Sequence, residues 1–128
     1  MAGLSLQLLP GEFAVCRLPA TDPWPVWAGS RVFSSITRTA DELSVICPAE
    51  QFPADVRREG GWRLVKFAGP FDFDAVGVLA SVTQPLAHAG ISLLAVATFE
   101  TDYVLLKENQ LAEAILALEA AGHTVRRS

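Results

Sequence analysis

Residues Gly69 to Asp102 read GPFDFDAVGVLASVTQPLAHAGISLLAVATFETD, a loop, a helix, a strand and a tight turn in that order. The loop carries Asp72 and Asp74 just ahead of an apolar-periodic run, and a short carboxylate there can cap the orphan N–H groups of a first turn. Asp74 is the expected N-cap of a helix over Ala75–Ala89. Gly77 then falls in the first turn, where a glycine costs about 1 kcal/mol relative to alanine. Close packing explains such a residue. So does a ligand that must approach the backbone, because helix-start N–H groups form an anion site. Spacing alone leaves both open.

Working outward, Val76, Leu79, Val82 or Thr83, and Leu86 predict the apolar stripe of that helix. Pro85 inside it should kink or open it locally. Ala89-Gly90 is a stop signal. Ile91–Thr98 is apolar enough to predict a strand buried on both faces. After the turn at Phe99-Glu100-Thr101, Asp102–Lys107 returns antiparallel. Asn109 is positioned to cap an amphipathic helix, Gln110–Ala121, with Leu111, Ile115 and Leu118 on one face. Gly122 ends it, and His123–Arg126 reads as a last short strand.

Upstream, Leu4–Leu9 and Glu12–Leu18 read as strands joined at Pro10-Gly11, which predicts a hairpin. Pro23 and Pro25 oppose a regular helix, leaving one helical turn near Trp24–Ala28, with Trp24 and Trp27 on similar faces. Val32–Thr39 and Leu43–Cys47 are strands rich in β-branched residues. Pro48–Arg58 predicts a weak helix stopped by Gly60-Gly61, and Trp62–Phe67 alternates as a strand. The tally is eight strands and four helices. From Trp62 onward the order is βαββαβ, the split-βαβ or ferredoxin-like unit. Glu12–Phe67 repeats that order with stunted helices. Two such units need eight strands, so Leu4–Leu9 must supply one, and the units are expected to be interleaved.

The chain has 128 residues, half of them hydrophobic and only 19% charged, so a substantial core is expected and disorder is not. A net charge of −4 without a basic stripe argues against nucleic acid as a partner. No apolar run reaches the ~18 residues needed to span a bilayer, and the N-terminus lacks the basic start of a signal peptide. Neither membrane nor export is expected. Cys16 and Cys47 lie in apolar strand-like runs and read as buried free thiols in a reducing cytoplasm. The two histidines, His88 and His123, have no Cys or His at ligand spacing, so no metal is expected. No cofactor is implied. No Ser/His/Asp or Cys/His grouping is present, so the chain is not expected to be an enzyme.

The segments FSSITRTADELSVIC (Phe33–Cys47), WRLVKFAGPFDF (Trp62–Phe73), VGVLASVTQPLAHAGISLLAVAT (Val76–Thr98) and FETDYVLLKENQL (Phe99–Leu111) together resemble tandem ACT-domain proteins. The likeness is to the small bacterial amino-acid-binding type, akin to aspartate kinase regulatory domains and to one half of the cytosolic arginine sensor. It implies an α+β fold of two interleaved ferredoxin-like units with antiparallel sheets, over 1–68 and 62–128. It also implies a regulatory module that holds a free amino acid at an interface between ACT units. By that resemblance the backbone of Val76, Gly77 and Val78 faces the α-carboxylate. Thr98, Phe99 and Asp102 supply the α-amino end, and the loop ending at Phe73 forms another wall. Where the family often has Ser, this chain has Ala97, which weakens a hydroxyl role there and leaves Thr98.

Elementary chemistry agrees, since a zwitterion needs donors at one end and an acceptor at the other. Gly77 admits a ligand without a Cβ in the way. Asp102 can be the acceptor, or it can be a turn cap bonding its own backbone. A homodimer is expected, because exposed strand edges of such sheets commonly pair. The alternative function is a protein-interaction or dimerisation module whose ligand site is vestigial.

Overall fold

The computed structural model describes residues 3–72 and 74–127 and divides them into two compact units. One unit joins the N-terminal ten residues to everything from Arg63 onward; the other is Gly11–Trp62. The fold is α+β. Among the described residues there are eight strands and two α-helices: β1 (Ser5–Leu8), β2 (Phe13–Leu18), β3 (Ser35–Arg38), β4 (Leu43–Pro48), β5 (Glu59–Phe67), α1 (Val78–His88), β6 (Leu93–Ala97), β7 (Asp102–Lys107), α2 (Leu111–Ala120) and β8 (Thr124–Arg127).

In the larger unit the strand order is β6-β7-β5-β1-β8. β1 runs antiparallel to β5, with Leu6 opposite Phe67, and parallel to β8, with Leu6 opposite Val125. This is the ferredoxin-like βαββαβ order with one earlier strand inserted. α1 and α2 pack together. They share a core of Leu6, Leu8, Val65, Phe67, Val104 and Leu106 from the sheet and Val78, Val82, Leu86, Leu111, Ala114 and Leu118 from the helices. His123 locks this unit internally. Its Nδ1 accepts from the Leu4 N–H at 3.0 Å, so Nε2 carries the hydrogen and donates to the Ser81 carbonyl at 2.7 Å.

The smaller unit has the strand order β3-β4-β2-β5 and its own core, built on Ala14, Cys16, Ala28, Val45, Cys47 and Phe52. Both cysteines are free and buried. Cys16 faces Val45 and Cys47 faces Ala14 across β2 and β4, which puts the two thiols in a diagonal cross-strand relation. The helices here shrink to single 3₁₀ turns at Val26–Ala28 and Ala49–Gln51. Gln51 ties them together by donating to the Trp27 and Gly29 carbonyls at 3.1 and 2.7 Å. Trp27 packs on Phe52, with ring centroids 5.0 Å apart, whereas Trp24 lies outside the turn and is exposed.

Several sequence expectations are corrected. The helix over Ala75–Ala89 starts three residues later, at Val78, and its N-cap is Gly77, not Asp74. Gly77 has φ 82°, a left-handed conformation that glycine reaches without strain. The buried stripe is therefore Val78, Val82 and Leu86, while Val76 falls in the loop and is 87% exposed. The helix runs on through Pro85. α2 is preceded by a 3₁₀ turn at Glu108–Gln110 that absorbs Asn109, and Gln110 is its N-cap. β1 and β2 form no hairpin, because β1 takes β5 and β8 as neighbours. Gly60-Gly61 does not end a helix. It lies inside β5, where a register shift against β2 and φ 79° at Gly61 make an irregular segment that glycine tolerates. β6 is not buried on both faces. Ala95 and Ala97 are exposed, because β6 is an edge strand, antiparallel to β7, in a sheet whose two helices share one face.

Candidate functional site

The turn between β6 and β7 is built by its own hydroxyls. Thr98 N–H donates to the Thr101 carbonyl at 2.9 Å, and Thr98 Oγ1 donates to the same carbonyl at 2.8 Å. Thr101 is buried and sends its hydroxyl to the Phe67 carbonyl at 2.7 Å, which fastens the turn to the end of β5. The loop after β5 leans on the same turn: Phe71 N–H donates to the Glu100 carbonyl at 2.8 Å. Gly69 makes that approach possible, since a Cβ there would lie 3.0 Å from the Glu100 carbonyl oxygen and 3.1 Å from Thr101 Cβ. The Gly69-Pro70 bond is cis.

Two cavities flank this turn. One, of about 270 Å³, is lined by Phe71, Asp72, Ala75, Val78 and the run Ala97–Asp102. The other, of about 250 Å³, is lined by Lys66, Gly69, Pro70, Thr98–Thr101 and Tyr103. The first brings the start of α1 to the β6–β7 turn. No side chain among the described residues caps that helix start, so its leading N–H groups are left for solvent or a ligand. Asp102 is half-buried on the same cavity, and its carboxylate accepts no hydrogen bond among the described residues. The hydroxyl of Thr98, not Asp102, closes the turn on its own backbone.

Of the residues singled out in the sequence, Val78, Thr98, Phe99 and Asp102 line this one cavity. Val76 and Gly77 do not line it, although Gly77 sets where α1 begins. Phe73 lies outside the described residues. Thr98 lends the turn its hydroxyl, which leaves its side chain little spare capacity for a ligand. Sequence reasoning missed Thr101, whose burial only the Phe67 contact reveals. Asp72, exposed in the loop, and Glu100, exposed in the turn, also line the cavity. Their shared wall depends on the loop docking onto the turn, which no periodicity encodes.

Comparison with known proteins places this geometry. The ACT domain family model matches residues 57–120, half of the chain. The chain belongs to the ACT domain family. This ACT chain is 30% identical over 100 residues to the bovine "Cytosolic arginine sensor for mTORC1 subunit 1", covering 72% of this chain and 30% of the sensor. The human protein of that name is 33% identical over 85 residues, covering 60% of this chain and 26% of the sensor. The chain thus spans less than a third of the length of these curated relatives. A crystal structure of a protein from Agobacterium tumefaciens is similar over the whole ACT chain, with 40% identity, a TM-score of 0.94 and 96% of its own length covered. The ligand-free regulatory subunit of aspartate kinase from Thermus thermophilus shares the fold at 15% identity, with a TM-score of 0.57 over 86% of this chain and 91% of that one. No helix among the described residues is long and apolar enough to cross a membrane.

Proposed function

We propose that this ACT chain is a regulatory module that binds a free amino acid in the cavity framed by the start of α1 and the Thr98–Asp102 turn. The observation that carries this reading is the Asp102 carboxylate, half-buried and without a bond among the described residues, on the same cavity as Val78. An α-ammonium group satisfies Asp102 with a charge-assisted hydrogen bond. The α-carboxylate takes the leading N–H groups of α1, whose first residue, Val78, lines the cavity. Thr98 and Phe99 contribute main-chain groups. A volume of about 270 Å³ sits just below the ~300–1,000 Å³ usual for ligand pockets, which suits a ligand of this size.

Among the described residues the cavity is lined by three carboxylates, Asp72, Glu100 and Asp102, and by no basic side chain. One is used by the α-ammonium group; the other two favour a cationic side chain. The curated relatives are named as arginine sensors, which supports the same choice. Phe99 is 77% exposed at the cavity mouth, and a second ACT surface from another copy of the chain covers it in this reading.

Thermal-shift and calorimetric titration against the common amino acids test the proposal. A ligand at a hundred times its Kd stabilises the folded state by about 2.7 kcal/mol, so a selective rise in melting temperature with arginine or lysine is expected. Asp102→Ala should remove that rise without unfolding the protein. Absence of any shift at millimolar concentrations defeats the reading. A second reading, a dimerisation module, draws on β6: its LLAVA strand pairs with β7 alone and carries no charge or proline to protect its edge. A dimer in light scattering that ignores every amino acid favours it.

A further inference from the structure

Another cavity, in the smaller unit, has the opposite electrostatic character. It is an open hollow of about 280 Å³, lined by Val15, Cys16, Arg17, Arg57, Arg58 and Glu59. Three of the ten basic residues of a chain with net charge −4 therefore meet at one hollow. They come from two places, Arg17 from β2 and Arg57-Arg58 from the run entering β5, where β5 is out of simple register with β2.

Two of the guanidinium groups are held in place. Arg17 donates to the Asp41 carbonyl at 2.9 Å. Arg58 donates to the Phe52 carbonyl at 3.2 Å and stacks over the Phe52 ring, 5.3 Å from its centroid. Each contact uses one nitrogen of its group, so most of the fork of N–H donors remains available. Arg57 is exposed and has no partner among the described residues. Three like charges repel one another, and only Glu59 on the cavity wall offsets them. On its other side Arg58 borders a hollow lined by Glu12 and Glu50, which disfavours an anion there.

We infer that the Arg17–Arg57–Arg58 hollow is an anion site for a small phosphate-bearing molecule. Three guanidinium groups less one carboxylate leave a local charge of two, which matches a phosphate dianion better than a single carboxylate. The donors suit bidentate contacts to tetrahedral oxyanions. The volume exceeds one phosphate and admits a diphosphate or a phosphorylated metabolite. Arg17 and Arg58 form the fixed part of the site, and Arg57 closes onto the ligand. This site is independent of the amino-acid reading and stands or falls by itself.

The test is isothermal titration of the full chain with inorganic phosphate and with pyrophosphate at constant ionic strength, with malonate as the carboxylate probe. Saturable binding of pyrophosphate, stronger than phosphate, is expected. Arg57→Ala should weaken it by about tenfold or more, the loss of one charge-assisted contact. Arg57→Lys should fall between, since it keeps the charge and loses the fork. Arg57 bonds to nothing among the described residues, so these variants keep the fold. Arg31→Ala, exposed and outside the hollow, should bind as the parent does. The inference is overturned if no probe gives saturable heat, if Arg57→Ala binds unchanged, or if malonate binds as tightly as pyrophosphate.

Discussion

Thr101 donates its hydroxyl to the carbonyl of Phe67 at 2.7 Å, across 34 positions of sequence. Both residues are buried, so the bond is shielded from water and joins the β6–β7 turn to the end of β5. Through it, the turn and the Gly69–Asp72 loop hold the shape of the candidate amino-acid cavity. Thr101→Val keeps the volume and leaves the Phe67 carbonyl without that donor. An unsatisfied buried group costs about 1–3 kcal/mol. Urea denaturation should show a loss of that size, and Thr101→Ser should recover most of it.

Gly69 and Gly77 shape the same cavity by different means. Gly77→Ala places a Cβ on a residue with φ 82°, a conformation that costs an L-residue about 1–2 kcal/mol. Gly69→Ala puts a Cβ 3.0 Å from the Glu100 carbonyl oxygen and 3.2 Å from a ring carbon of Phe71, so the loop must retreat from the turn. Overpacking of this kind costs about 1–3 kcal/mol. Both variants should melt lower, and Gly69→Ala should also weaken amino-acid binding, because its neighbours Phe71 and Glu100 are cavity walls.

His123 is a fastener between three elements and needs no catalytic role. It receives the Leu4 N–H and donates to the Ser81 carbonyl, uniting the entry to β1, the entry to β8 and α1. His123→Phe fills the space and drops both bonds. Each group left unsatisfied costs about 1–3 kcal/mol, so the midpoint of denaturation should fall clearly. Hydrogen exchange should show faster opening of the Leu4 amide in particular.

Cys47 supplies an alkaline limit to stability. Burial, followed by the neighbouring Cys16 and Glu50, pushes its thiol up from 9.0 to about 11. The thiol donates to the Pro48 carbonyl at 3.6 Å, which requires it to keep its hydrogen. In the unfolded chain the thiol ionises near its ordinary value. Its contribution is therefore fully present below pH 9 and is lost as the pH climbs towards 11, by about 2 kcal/mol over that window. Cys47→Ala should show a shallower fall in stability between those pH values than the parent. Thiol-reactive reagents should label Cys47 only as the protein opens.

Local pattern was enough for the α+β class, the order of eight strands and the two long helices, because each segment advertises its own period. Val82 and Leu86 on α1, and Leu111 and Leu118 on α2, repeat on one side, and the glycines at 90 and 122 mark the stops. The ACT likeness was also carried by local wording. The exact start of α1 was not readable. Asp74 is a good cap by composition, but Gly77 takes the left-handed turn and moves the buried stripe to Val78. The partners of β1 were equally hidden, since Pro10-Gly11 signals a turn whether or not the flanking strands pair.

At the site, the sequence by itself determined which chemistry was on offer: a helix start and a carboxylate just past a turn. It also put Thr98, Phe99 and Asp102 close together, as neighbours along the chain. Only the tertiary structure decided that Val78, Asp72 and Glu100 share a cavity with them and that Val76 does not line it. It also decided that Thr98 spends its hydroxyl on the turn, and that Arg17 meets Arg57 and Arg58. The physical reason is that side-chain type and spacing act within a few residues, whereas a cavity forms where distant segments dock. Here that docking depends on contacts such as Thr101 to Phe67, whose partners lie far apart in the chain.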